Sequence, residues 1–142
     1  MAKHMWLRNT LVMVGGYYLV SWVVSLAWIP AATLVEGRVY HGGWEFALMF
    51  LFNLIPVAGG AVLTGMAAGY FLESARPTAW AVGVGVFVGI CTWSSIRWHV
   101  TPATSDLLRQ GARTVVAGGL AFAACVMTQR HRRTVEVPRA AA

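Results

Sequence analysis

Four stretches of this chain contain no Asp, Glu, Lys or Arg: residues 9–35, 46–72, 77–96 and 114–129. A bilayer core about 30 Å thick takes roughly 20 helical residues at about 1.5 Å each. Three of the stretches reach that length outright. The fourth reaches it with the flanking Arg113 and Arg130, whose long stems can carry the guanidinium up to the interface. The runs are apolar on every side instead of alternating, which argues against membrane-spanning strands and for helices. Composition agrees: 58% of residues are hydrophobic and 11% charged, whereas soluble domains carry about 25% charged residues. The expected fold is an all-α integral membrane protein. Its four transmembrane helices, over about 9–29, 46–72, 79–96 and 112–129, form an antiparallel up-down bundle in a single membrane domain without a soluble one.

The first run raises the question of a leader. Lys3 and Arg8 precede an apolar stretch that ends in Ser25-Leu26-Ala27, a sequence a signal peptidase could accept. Its length and the bulky Tyr17, Tyr18 and Trp22 favour a retained anchor.

With four spans, both termini fall on one side. Lys3, Arg8, Arg76, Arg130, Arg132, Arg133 and Arg139 share that side; Arg38, Arg97, Arg109 and Arg113 share the other. The excess, concentrated in "QRHRR" directly after the last run, places both termini in the cytoplasm of a bacterial cell membrane under the positive-inside rule. Aromatic belts agree: Trp6, Tyr70 and Trp80 fall at the inner boundary, and Trp28, Trp44, Trp93 and Trp98 at or near the outer one. The net charge of +6 sits at span ends and not along one soluble face. Anionic lipid headgroups are therefore the expected partner, and nucleic acid is not. Between the runs, "ESARPT" (73–78) is a tight connection that predicts a hairpin of spans two and three. Ser105, ahead of "DLLRQ", reads as the cap of a short helix leading into span four.

"LFNLIPVAGGAVLTG" (51–65) places an amide, a proline and paired glycines in the middle of the second run. In lipid, helices associate through close packing and interhelical hydrogen bonds, so small and polar residues mark the contact face. On span two, Asn53, Pro56, Gly60, Thr64 and Ala67 recur at steps of three and four, which predicts that the Asn53 amide faces protein. Span three offers Ala81, Gly85, Gly89, Thr92 and Ser95; span four offers Thr114, Gly118, Ala121, Cys125 and Thr128. Span one offers Gly15, Tyr18, Ser21 and Ser25, and Gly65 and Gly69 add to the small residues of span two. The topology puts Ser21, Ser25, Asn53, Thr92, Ser95 and Thr114 in the outer half of the membrane. Pro56 removes one backbone hydrogen bond, can kink span two and frees the Phe52 carbonyl. These groups read either as interhelical glue or as an outward-facing pocket.

Catalysis finds little to work with. An intramembrane enzyme or proton pump usually keeps an ionisable group inside the membrane, and no span has Asp, Glu, Lys or Arg in its interior. There is no carboxylate pair at catalytic spacing and no phosphate loop, so the chain is not expected to be an enzyme, and no cofactor is expected. His41 and His99, in or beside outer loops, are weak metal candidates that lack a third ligand. Cys91 and Cys125 fall toward opposite ends of their spans and read as reduced packing residues.

Gly89-Ile-Cys-Thr92-Trp93-Ser94-Ser95 resembles the Gly-x-x-Thr-aromatic-Ser-Ser/Thr break in the third helix of small four-helix fluoride channels, and Asn53-Leu54 is similar to another element of that family. The resemblance implies a broken third helix and a channel function. Against it, span one lacks the family's arginine, Pro56 interrupts the glycine spacing, and the charge bias opposes dual topology. Two functions are expected from the residues: a non-enzymatic structural or accessory subunit of a larger membrane assembly, or a small oligomeric channel or transporter with an outward-facing pocket around Asn53, Thr92 and Ser95. Other membrane subunits or further copies of the chain are the corresponding partners.

Overall fold

A computed structural model describes residues 2–33, 43–72, 76–94 and 104–140, and these are helical almost throughout. Four helices follow in order: α1 (Ala2–Thr33), α2 (Gly43–Phe71), α3 (Pro77–Ser94) and α4 (Thr104–Ala140). All four are long and apolar enough to cross a membrane, with candidate spans His4–Trp28, Leu51–Phe71, Pro77–Ser94 and Leu107–Val135. The chain is an all-helical integral membrane protein.

Several helices overrun their expected ends. Pro30 lies inside α1 and Pro56 inside α2. The α4 helix begins at Thr104 and continues unbroken through the basic segment 130–133, so no separate short helix precedes the fourth span. Helical continuity there is reasonable, because Leu, Arg, Gln and Ala dominate 107–113 and all favour helix. The α3 helix runs without a break through Thr92 and Trp93 to Ser94. The interruption that the fluoride-channel resemblance implies is absent from it.

Packing is centred on α4. It lies most closely against α2 and α3, whereas α2 and α3 touch each other only lightly despite the short connection between them. The expected α2–α3 hairpin is therefore not a packed pair. The reason is visible in the glycines. A Cβ on Gly69 would stand 2.6 Å from the Cys125 carbonyl oxygen, and one on Gly65 would run into the Ala121 carbonyl. A Cβ on Gly85 would stand 2.8 Å from the Gly118 carbonyl, and Gly89 faces Thr114. Both α2 and α3 thus bring backbone against α4, and this close approach leaves little surface for each other. Contacting residue numbers rise together along α2 and α4 and run oppositely along α3 and α4.

The core is built of small residues: Ala61, Ala68, Leu72, Ala81, Val84, Val88, Ala117, Ala121 and Cys125. The α1 helix lies mainly against α2. It reaches α3 through Tyr17, whose ring meets Phe87 edge-on at 5.5 Å, and the Trp28 and Phe52 rings lie 4.5 Å apart.

Candidate functional site

The α4 helix caps both of its neighbours. The last four carbonyls of any helix have no partner within it, and Thr92 belongs to the last turn of α3. The Gln110 amide nitrogen donates to the Thr92 carbonyl at 2.6 Å, within a buried contact. At the opposite end, Arg132 donates to the Tyr70 carbonyl in the last turn of α2 at 2.8 Å. The same guanidinium stands 5.8 Å from the Tyr70 ring centroid, within cation–π range. Neither cap stood out in the sequence. The available signal was a polar residue four before Thr114 and an arginine four after Thr128, extending the small-residue edge of α4 at both ends.

Between α1, α2 and α3 lies a partly open cavity of about 350 Å³. Ser21, Ser25, Tyr17 and Trp28 line it from α1, Pro56 and Gly60 from α2, and Val88 and Thr92 from α3. It lies near the volume at which small-molecule pockets begin, about 300 Å³. Thr92 is buried and donates its hydroxyl to the Val88 carbonyl at 2.8 Å. Tyr17 sits one turn before Ser21 on the same side of α1, and both line the cavity. Among the described residues, no Asp, Glu, Lys or Arg lines this cavity.

Among the expected polar group, Ser21, Ser25 and Thr92 come together in this cavity with Pro56 and Gly60. Asn53 does not join them. It is exposed and does not line this cavity. The buried edge of α2 runs through Ala61, Thr64, Gly65, Ala68, Gly69 and Leu72. At about 100° per residue, Asn53 falls roughly 90° from the centre of that edge. A correction concerns α1, where Tyr18 is 65% exposed and Gly15 is exposed, while Tyr17 and Met13 pack on the core and Asn9 is fully buried. The inward edge is thus Asn9-Met13-Tyr17-Ser21, at steps of four. Ser95, His41 and His99 lie outside the described residues. Both cysteines are free thiols, and Cys125 belongs to the core.

A third feature is a shallow groove of about 590 Å³ on the outer side of the α3–α4 contact, bounded by Val82, Val86, Ile90 and Trp93 on α3 and by Val115, Gly119 and Phe122 on α4. Gly85, Gly89 and Gly118 form its floor.

Compared with known protein families, with curated proteins and with solved structures, the chain matches none.

Proposed function

We propose that the protein is a non-enzymatic structural or accessory subunit of a larger membrane assembly. The observation that carries this reading is the closed core. Ala61, Ala68, Ala81, Val84, Val88, Ala117, Ala121 and Cys125 are all but inaccessible from outside, and backbone meets backbone on two sides of α4. Such a centre supports a packed wall in preference to a water path through a single bundle. An unusually apolar exterior, with exposed Leu51, Ile55, Leu63 and Met66 on α2 and exposed Leu19, Trp22 and Val23 on α1, is compatible with lipid or with neighbouring membrane helices. In this reading the helices alternate up and down, small Gly, Ala and Ser residues mediate their packing, and both termini lie in the cytoplasm of a bacterial membrane.

Mild extraction from native membranes, followed by mass measurement of the intact complex, tests this. A companion of fixed stoichiometry is expected. A bare monomer in wild type overturns it.

The cavity between α1, α2 and α3 favours a second reading, a small channel or transporter that binds a neutral solute through Ser21, Ser25 and Thr92. Here wild type reconstituted in vesicles carries a flux that Ser21→Leu abolishes while assembly survives. Absence of wild-type flux ends that reading.

A further inference from the structure

We infer that the α3–α4 face holds one anionic phospholipid, its phosphate seated between Arg130 and Arg133 and an acyl chain laid along the apolar groove beneath them. The inference rests on the membrane-spanning helices and is independent of whether the protein is an accessory subunit.

Register brings charge and groove together. Val115, Gly119 and Phe122 border the groove on α4, and the same helical edge continues at steps of four, three and four through Val126, Gln129 and Arg133. Arg130 lies three residues before Arg133 and so shares its side of the helix. Both are exposed. Arg132, by contrast, is turned to the Tyr70 carbonyl on α2, which fixes the rotation of α4 in this turn and directs its neighbour Arg133 toward the α3 side.

Height agrees as well. Gly85 meets Phe122, and α3 and α4 run in opposite senses. From that level Arg130 and Arg133 lie about 12 and 16 Å away along α4, level with and just beyond the first residue of α3, Pro77, about 12 Å away along that helix. The two guanidinium-bearing residues therefore sit beyond the upper end of the groove and within one helical turn of each other. The opening turn of α3 at this height carries no acid. Along the groove below, Val82, Val86 and Ile90 are exposed apolar side chains and Trp93 closes the far end. A single amphiphile with a negative head and an apolar tail satisfies both halves. A free phosphate satisfies only the upper half, and an apolar helix only the lower.

The charge contrast is local. Beyond Leu72 and Gln129 this end of the chain holds Arg76, Arg130, Arg132 and Arg133 within the helical and turn segments, and the acids nearest in sequence are Glu73 and Glu136. Attraction to an anionic leaflet corresponds to about fivefold in affinity for each arginine near the surface.

Native mass spectrometry of the full chain in mild detergent, titrated with phosphatidylglycerol or phosphatidylcholine of identical acyl chains, gives the test. Wild type is expected to retain one phosphatidylglycerol in preference to phosphatidylcholine. R130Q/R133Q is expected to lose on the order of 25-fold in that preference, and R130K/R133K to keep most of it. Gly119→Leu fills the groove from a position where an added Cβ meets nothing within 4 Å, so the helices need not move. It is expected to weaken retention of both lipids, with the helical circular dichroism unchanged. Equal retention of the two lipids by wild type, or an unchanged preference in R130Q/R133Q, overturns the phosphate seat. Unchanged retention in Gly119→Leu, or displacement of the lipid by millimolar glycerol phosphate, overturns the groove. These readouts concern lipid adducts, so they stand apart from any companion protein found in the test of the subunit reading.

Discussion

Gly69→Ala measures how much of the bundle depends on backbone contact. Its Cβ would stand 2.6 Å from the Cys125 carbonyl oxygen and 2.8 Å from the Thr128 Cβ, where ordinary contact begins at 3.4 Å, so the helices must part by roughly 0.8 Å. The first obstacle is backbone, which cannot rotate away as a side-chain tip would. A radial gap of 0.5–1 Å forfeits about a quarter to a half of each dispersion contact, and the loss extends along α2 and α4 on both sides of the new methyl. Overpacking of this kind costs about 1–3 kcal/mol, from which the better helix propensity of Ala returns up to about 1 kcal/mol. With the full propensity gain counted, the net loss is about 0–2 kcal/mol. Gly59→Ala is the matched control on the same helix: Gly59 is exposed, and an added Cβ meets nothing within 4 Å. It should gain up to about 1 kcal/mol from propensity alone. Reversible unfolding in mixed micelles, followed by far-ultraviolet circular dichroism, should separate the two variants by about 1–3 kcal/mol, the overpacking cost alone, since the propensity gain is common to both. If Gly69→Ala is as stable as Gly59→Ala, the α2–α4 approach does not hold the bundle and the packing argument is refuted.

Three further perturbations address other contacts. Gln110→Leu removes the donor to the Thr92 carbonyl and should cost about 1 kcal/mol in the same unfolding assay, with faster amide exchange confined to the last turn of α3. Arg132→Gln should loosen the last turn of α2 by about 1 kcal/mol, since both the bond to the Tyr70 carbonyl and the ring contact are lost; Tyr70→Phe, which keeps carbonyl and ring, should match wild type. For α1, Tyr17→Ala should destabilise by about 2 kcal/mol or more, whereas Tyr18→Ala stays within about 0.5 kcal/mol, because the first ring packs on Phe87 and the core and the second is mostly exposed. Equal effects would mean that α1 is rotated.

The membrane class was legible because it depends on charge and length, and a run without charge has few soluble uses. The faces of α3 and α4 were also legible: Gly85, Gly89 and Thr92 recur at helical spacing in a span with hardly another polar group, and they lie on its buried side. On α1 the rule that small residues face inward failed. Gly15 and Tyr18 are exposed, and the helix is fastened instead by the large ring of Tyr17 against Phe87. A helix held at the edge of a bundle can use one bulky residue where a central helix needs none. Asn53 lies off the buried edge of α2 for a different reason. Steps of three and four from Asn53 to Ala67 define a stripe, but 3.6 residues per turn makes such a stripe drift, and the close contact with α4 is set farther along, around Gly65 and Gly69. The two caps made by α4 were not legible because a hydrogen bond between helices depends on their relative height, which no single helix encodes.

That relative height also explains why α4 can organise the others. Polar contacts between membrane helices average only about 0.6 kcal/mol each, too little for Gln110 and Arg132 to hold α2 and α3 by themselves. Their value is in register. The glycine contacts of α4 run along both neighbours and, being small and smooth, tolerate sliding by a turn. A sliding step of one turn would carry Gln110 away from the last turn of α3 and Arg132 away from the last turn of α2 together, stranding two carbonyls near opposite ends of the bundle. Glycine thus supplies the closeness and the caps select one height. Doubly replaced Gln110→Leu/Arg132→Gln should therefore do more than add the two single losses: cysteine cross-linking between Ala61→Cys and Ala117→Cys, core positions one turn before the Gly65–Ala121 contact, sampled along several neighbouring positions, should spread from one dominant pair to pairs a turn away. A single dominant pair in the double variant would show that the glycine faces alone fix the register.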